Sequence, residues 1–594
     1  VVPPFYDIYG VPSDDFYSSL QLTIPQSQLS TGRIPISDAQ VAIQIANKIR
    51  NYIINPPTGH WKSSALLIAD DAHKAGGGDI MVEISHVSNS NNIFEQIKDV
   101  LEVNCLYGTE YQLFYGGGIP TLPEMTSDVL DAINSGVGWI NYIGHGNETT
   151  LADELILDME RDLTFMSPPE GKLPVWVVGS CDLGHYDDAE CLTEALISKP
   201  DGAIAVITTT RLILSQPVGA YLDRLYSNVY NYSIGALNFR LGDLVRESKT
   251  GSSDYVFQLF GDPAMPIILP RQGNIINSYP DTCEVLTQNS VHVLENYQND
   301  FSHLTVYGPP RFIHQIYDGW VNLDYQLPGE RIYSGEFVGN AQFYLPLDYP
   351  LCESSPVELK VFSENVEQPF NNKIETISGI PVIPPGTITD FFPPSIILRY
   401  EGSEVMENQV INSPFLFEVI IQDTSGINLM NLPGHQIQYQ IDASSPVNIT
   451  DQFTYNSNAI VEGVINLLIS DVLSGSHILQ IKAWDNANNR AVFSRTVCFT
   501  NCDFPEVNES SLWTSITSLL TPNGLTGFSN GDQYAATTGG LLKLSLSSNT
   551  FENILPGETL KYSNLLSVNK DSYGNLWLGS GYPGTLQIYH PNEG

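Results

Sequence analysis

Along residues 1–270, short apolar runs alternate with stretches of helical periodicity. SALLIADD (64–71), WINYIGHG (139–146), PVWVVGSC (174–181) and GAIAVITTTR (202–211) are almost unbroken in apolar residues until each stops at small or polar ones. Such runs predict strands buried on both faces, as in a parallel sheet covered by helices. The stretches between them read as the helices. In SDAQVAIQIANKIRNYI, Val41, Ile45, Ile49 and Tyr52/Ile53 recur at helical spacing, and Ser37 followed by Gln40 predicts a capping box. DAECLTEALIS (188–198) predicts another helix.

After residue 270 the helical spacing disappears. VELKVF (357–362), FLFEVIIQD (415–423) and HILQIKAWD (477–485) run as strands between turn clusters, and PVIPPGTITDFFPP (381–394) divides the region. This pattern predicts a β-sandwich over 271–390 and an Ig-like β-sandwich over 391–500. From residue 508 two hairpin-rich units follow, and DSYGNLWLGS (571–580) resembles the blade repeat of β-propellers from two-component regulators. Residues 508–594 suffice for about two blades of about 40–45 residues, so a partial β-propeller is expected. The fold class is multidomain, an α/β domain followed by β-domains.

Hydrophobic residues make up 42% of the 594, enough for several cores, and 26 Lys+Arg against 66 Asp+Glu give a formal charge of −40. That balance excludes nucleic acid as a partner, because phosphate binding needs a basic patch. It also disfavours a polybasic membrane contact. No apolar stretch reaches the roughly 18 residues a membrane helix needs. Thirty Tyr, 38 Pro and 47 Gly beside so little Lys suit a secreted or cell-surface protein. The chain opens VVPPFYDIYG and closes on HPNEG; both ends are expected to be internal to a longer precursor, with the first domain truncated at its start. The seven Cys (105, 181, 191, 283, 352, 498, 502) are odd in number and scattered. They fit neither a disulfide framework nor a zinc site, although Cys498 and Cys502 could pair locally.

GHG (144–146) and GSCD (179–182) each follow an apolar strand. Functional groups gather outside the carboxyl ends of parallel strands, which would bring His145 and Cys181 together. A thiolate is a competent nucleophile, and an imidazole supplies its base. The amides of Gly146 and Cys181 could form an oxyanion hole. A strand-end Cys can equally be a small buried hydrophobe. Ser180 is a weaker candidate, since VVGSCDLG is no nucleophile elbow.

NYIGHGNET (141–149) and VVGSCDLGHYDDAECLTEAL (177–196) resemble the gingipain-type cysteine peptidases, which have a caspase-like fold, and GRIPIS (32–37) and FGDPAMP (260–266) resemble motifs flanking that family's core. The 36-residue interval from His145 to Cys181 suits it too. DTSGINLMNLPGHQIQYQID (423–442) and LSGSHILQIKAWDNANN (473–489) further resemble the β-domains of sortase-type members that serve type IX secretion. The resemblance covers roughly residues 5–500 and implies Cys181 as nucleophile and His145 as general acid/base. It implies an acid at an earlier strand end that orients the His, for which IADD offers Asp71, with Asp70 next. It also implies an acid that binds a basic P1 side chain, for which Glu83 in EISH (83–86) is the candidate and Asp79 the rival.

By the same resemblance the protein would act at the extracellular face of the outer membrane. It would remove the C-terminal signal domain of secreted cargo and transfer the cargo, through a thioester, to an amine of anionic lipopolysaccharide. The tail resembles the start of a propeller-bearing partner of that system. Two alternatives stand beside this: a secreted endopeptidase that only hydrolyses, and a non-catalytic surface scaffold. No cofactor is required. DTSGIN and WDNANN could supply carboxylate and amide oxygens to a structural calcium, or form ordinary Asx-turns. His185 and Tyr186 are expected near the cleft without an assigned role, and His435 is expected to be structural.

Overall fold

The computed structural model describes the chain except residues 1–2, 8–9, 20–26, 74–76, 117–118, 189, 252, 298–299, 352–354, 470–471, 501–521, 529–530, 538–539, 546–549, 555–559, 562–564, 581–584 and 592–594. It divides into two compact bodies, Val1–Tyr111 with Glu124–Asp503, and Gln112–Pro123 with Phe504–Gly594.

The first body begins with a six-stranded sheet. Its strands are β1 (Ser64–Ala69), β2 (Glu102–Tyr107), β3 (Trp139–Ile143), β4 (Val175–Gly179), β5 (Ala205–Thr209) and β6 (Phe257–Phe260), in the order β6-β5-β4-β3-β1-β2. The first five are parallel and β6 is antiparallel to β5. β3, β4 and β5 are buried at every position, which explains their unbroken apolar runs. The main helices are α1 (Ala39–Ile54), α2 (Ile80–Ile97), α3 (Pro123–Ser135), α4 (Leu192–Ser198), α5 (Ser215–Ser233) and α6 (Leu241–Ser248). With the strand order β6-β5-β4-β3-β1-β2, the right-handed rule for parallel crossovers assigns α2 to one face of the sheet and α3 and α4 to the other. α5 packs on α2 and α6, and α1 on α4.

α1 is capped by Asp38, not by the expected Ser37: the Asp38 carboxylate accepts from the amides of Gln40 (2.7 Å) and Val41 (2.9 Å). A carboxylate meets the positive end of the helix dipole as well as its orphan amides, and so wins the position over the neighbouring hydroxyl.

The two β-segments, expected as separate sandwiches, share one ten-stranded sheet. Phe301–Tyr307, Arg331–Phe337, Val357–Glu364 and Lys373–Ile380 belong to the first segment; Ser395–Tyr400, Phe415–Gln422 and Glu462–Ile469 belong to the second. The halves meet where Gly335 pairs in parallel with Tyr455. A three-stranded sheet (Ile276–Ser278, Asn289–Val293, Asn340–Phe343), a five-stranded sheet that includes Gly475–Trp484 and Arg490–Thr500, and two strand pairs (Cys283–Glu284 with Val382–Ile383, Arg311–Tyr317 with Val321–Leu327) complete the described region. A single apolar cluster runs through all of it, from Val291, Leu304 and Phe343 to Phe417, Ile465 and Phe499.

The second body carries a four-stranded antiparallel sheet (Pro522–Gly527, Asp532–Thr537, Gly540–Ser545, Thr550–Ile554) and a three-stranded one (Leu565–Lys570, Leu576–Ser580, Leu586–Tyr589). They enclose a core of Tyr534, Leu541, Ile554, Leu565, Leu576 and Leu578. The hairpin before Leu576 turns at Gly574 (φ +89°), where the Asp571 amide donates to the Asn575 carbonyl at 3.0 Å.

None of Cys105, Cys181, Cys191, Cys283 and Cys498 is in a disulfide; Cys352 and Cys502 lie outside the described residues. Among the described residues no helix is long and apolar enough to cross a membrane.

Candidate active site

β1, β3 and β4 are neighbours in register, with Ala69 opposite Ile143 and Ile143 opposite Gly179. Their carboxyl ends therefore deliver Asp70, His145 and Cys181 to one rim of the sheet. Both glycines of GHG are required by close approach. A Cβ at Gly144 would lie 2.8 Å from Asp70 Oδ2, and one at Gly146 would strike Ser180 Oγ and lie 2.8 Å from the Thr150 carbonyl. The His145 turn is thus wedged between the ends of β1 and β4.

His145 is held at two points. Its backbone amide donates to Asp70 Oδ2 at 2.8 Å, and its ring Nε2 lies 2.7 Å from Glu83 Oε2. Because a carboxylate only accepts, Nε2 carries the proton and Nδ1 is left as the basic nitrogen. The imidazole is 21% exposed and the Glu83 side chain 4%. His86, one turn along α2, meets the His145 ring edge to face at 5.0 Å between centroids.

The contacts differ from the two expected for Asp71 and Glu83. The carboxylate on the imidazole is Glu83, expected to bind a P1 side chain, and not Asp71. Asp71 Oδ1 accepts from the His73 amide at 2.7 Å, and its Oδ2 is buried without a partner. Burial pushes the Asp71 carboxyl up to about 6. The physical reason lies in α2. Glu83, Val87, Ser90 and Phe94 are all buried, so Glu83 rides the stripe of the helix that faces the sheet. Asp79, the rival for P1, caps α2 and accepts from the Met81 amide at 3.0 Å.

Cys181 is partly exposed, and its thiol donates to the Ile213 carbonyl at 3.4 Å. Asp182, directly after it, takes φ +55°, which turns the chain sharply at the strand end. By contrast, burial pushes the thiols of Cys105, Cys191 and Cys283 up to about 12. Cys191 is the residue that caps α4 and is fully buried. Ser180 is buried beneath Gly146. Gly146 forms a bridge with Leu151 whose two bonds run through the flanking residues, Ala152 N to His145 O (2.9 Å) and Asn147 N to Thr150 O (3.2 Å). The Gly146 amide therefore points away from that ladder, as an oxyanion donor must.

Beyond Cys181, His185 Nδ1 lies 3.4 Å from Glu148 Oε1. The Arg33 guanidinium sits over the Tyr186 ring at 4.7 Å, and Asp187 receives Arg211 through both oxygens (2.9 and 2.7 Å). Tyr17, Arg33, Tyr186 and Asp187 line a cleft of about 570 Å³.

Two carboxylate groupings have metal-ligand spacing. Asp390, Asp423 and Asp485 bring the DTSGIN and WDNANN turns together, and Asp70 and Asp71 meet Glu154. In the first grouping Asp423 accepts from the Ser425 amide (2.7 Å) and Asp485 from the Asn489 amide (2.7 Å), so both close Asx-type turns. His435 Nδ1 lies 2.6 Å from Asp348 within the β-region, a structural contact. Glu154 escaped the sequence reading because nothing in LADELI marks an acid as buried.

Residues 1–268 match the model of peptidase family C25. No curated protein matches the chain. Among solved structures, the Arg-specific cysteine proteinase gingipain R (RgpB) is 16% identical, with 64% of this chain and 81% of that one covered and a TM-score of 0.38. The complex of Porphyromonas gingivalis RgpB pro- and mature domains is 16% identical, with 64% and 82% covered and a TM-score of 0.36. Dimeric latent PorU from Porphyromonas gingivalis is 17% identical, with 66% of this chain and 40% of that one covered and a TM-score of 0.26.

Proposed function

We propose, from the premise that residues 1–268 are a cysteine peptidase domain of family C25, that this protein cuts a peptide bond through a thioester on Cys181 and passes the acyl group to an amine. The observation that carries the reading is the juxtaposed pair of strand ends: β3 and β4 end in register at Ile143 and Gly179, and His145, backed by Glu83, and Cys181 each follow two residues on. His145 Nδ1 takes the thiol proton, and the thiolate forms the S–C bond to the substrate carbonyl. The amides of Gly146 and Cys181 receive the oxyanion. The C–N bond then breaks as the imidazolium returns its proton to the leaving amine. Glu83 holds the ring in the tautomer this requires and stabilises the imidazolium.

The finer reading is a PorU-like sortase at the outer-membrane surface. Its substrates would be secreted cargo with C-terminal signal domains, its acceptor an amine of anionic lipopolysaccharide, and its neighbours other type IX components, including a PorZ-like propeller protein. The resemblance of residues 423–442 and 473–489 to sortase β-domains supports it, as does a tail of four- and three-stranded sheets that we read as two propeller blades. We read the preceding β-region as paired sandwiches, the second Ig-like.

Mass spectrometry of a cargo protein bearing its signal domain, incubated with the full chain and an amine acceptor, tests the proposal. An amide-linked product that Cys181→Ala abolishes is expected. Free carboxylate alone would make the protein a hydrolase, and cargo left uncut would make it a scaffold.

A further inference from the structure

Beside the His145 backbone three carboxyl groups converge. Asp70 and Asp71 end β1, and Glu154 comes from the loop after the GHG turn. One oxygen of each lies within 4.8 Å of the others, and their residues are 1%, 4% and 0% exposed. Two oxygens each about 2.4 Å from one centre can be no more than about 4.8 Å apart, so the spacing is what a shared calcium-sized ion allows.

Buried carboxylates normally have donors. Asp70 does: its Oδ2 accepts from the His145 amide at 2.8 Å and its Oδ1 from the Asp71 amide at 2.9 Å. Glu154 does not. Neither of its oxygens has a hydrogen-bond partner, and Asp71 Oδ2 is likewise orphaned. Among the described residues no Lys or Arg forms an ion pair with any of the three. The Asp423 and Asp485 carboxylates are satisfied by their own turns, so the two groupings differ in kind. Like charges this close and this dry repel each other unless a positive charge joins them.

We propose that Asp70, Asp71 and Glu154 bind a hard divalent cation, calcium by their all-oxygen donor set. The ion would fix Asp70, and Asp70 holds the backbone of His145. It would thus be a positioning element for the imidazole, outside the reacting atoms.

The test uses the full chain carrying Cys181→Ala, stripped with a chelator and titrated calorimetrically with calcium chloride, with magnesium chloride as a second titrant. Saturable binding is expected, together with a rise in the thermal midpoint. Glu154→Gln should weaken that binding by about tenfold or more, while Asp485→Asn should leave it in place. Asp71→Asn serves in the same role should Glu154→Gln fail to fold. Binding by neither metal, or a metal response that both Glu154→Gln and Asp71→Asn leave unchanged, would overturn the proposal and leave the three groups neutralised by protons.

Discussion

The first body has two seams that differ in what is buried at their centre: ion pairs and polar bonds in one, a shared apolar core edged by polar bonds in the other. Between the α/β domain and the first β-segment the seam is polar. Lys62 pairs with Glu364, both side chains fully buried, and Glu364 also accepts from the Gly59 amide at 2.9 Å. Lys360 donates to the Leu101 carbonyl at 2.9 Å, and Glu102 receives both Ser63 (3.0 Å) and Thr305 (2.7 Å). The rings of His60 and His303 stack 3.7 Å apart. Between the two β-segments the seam is a continuous sheet over a common apolar core. The polar seam fixes one orientation and fails abruptly when a partner is lost, whereas the apolar seam weakens in proportion to the area removed. The polar seam also reaches the chemistry. α2 lies against the strand Val321–Leu327, where the Gln326 amide donates to Asn91 at 2.8 Å, and the first turn of that helix carries Glu83.

The largest effect should come from Glu364→Ala, which strands the Lys62 ammonium in a dry site. A loss of about 3–5 kcal/mol is expected in chemical denaturation, and the double variant Lys62→Met, Glu364→Leu should recover most of it. A loss under about 1 kcal/mol, the scale of an exposed pair, would refute the role given to the buried Lys62–Glu364 pair. Next comes activity. Glu83→Gln should lower kcat about 100-fold with little change in KM, and Asn91→Ala, which loosens the same helix from the seam, should lower it by less. Equal activity in Glu83→Gln and the parent would return the orienting role to another acid.

Acid should open the polar seam selectively. Burial depresses the pKa of both His60 and His303. Below the unfolded value of about 6.5 the unfolded chain binds protons that the folded seam refuses, so stability rises with pH there. The contribution is complete above about pH 6.5 and falls by about 1.4 kcal/mol per pH unit for each His on acidification, until the depressed folded values are reached. Stability measured from pH 7 to 5 should show that slope, and a chain with His60→Gln and His303→Gln should flatten it. The smallest effect belongs to the apolar seam: Ile465→Val should cost about 0.5–1.5 kcal/mol, with no change in the pH slope.

The rim of the catalytic sheet was legible because its strands are apolar runs that stop at GHG and GSC, with His145 and Cys181 each two residues past the strand. The acids were not legible in the same way. Asp71 stands at a strand end, where an orienting acid is expected, yet its side chain turns back to the His73 amide. Glu83 sits on a helix whose placement over the sheet is a tertiary matter. One signal was present: Glu83, Val87, Ser90 and Phe94 form an i, i+4, i+7, i+11 stripe, and a carboxylate on a core-facing stripe demands a partner. The shared ten-stranded sheet was hidden for another reason. Its joint is a single pairing between residues 120 apart, and no turn or periodicity marks it.

That joint has a mechanical consequence. Along most of the sheet a force pulling strands apart must break ladders such as the eight paired positions between Phe415–Gln422 and Glu462–Ile469. At the middle the ladder has one pairing, Gly335 against Tyr455, backed by the stacked Tyr333 and Tyr455 rings 4.7 Å apart and by bonds beside it: Asn458 N to Glu336 O (2.8 Å), Val338 N to Asn458 Oδ1 (3.0 Å) and the Tyr333 hydroxyl to Ala459 O (3.0 Å). A side chain at 335 would press on the Tyr333 ring, 2.9 Å from its Cζ, so the glycine is what lets the halves touch. Under load the halves would be held at this joint less by the ladder than by those flanking bonds and the apolar cluster they share.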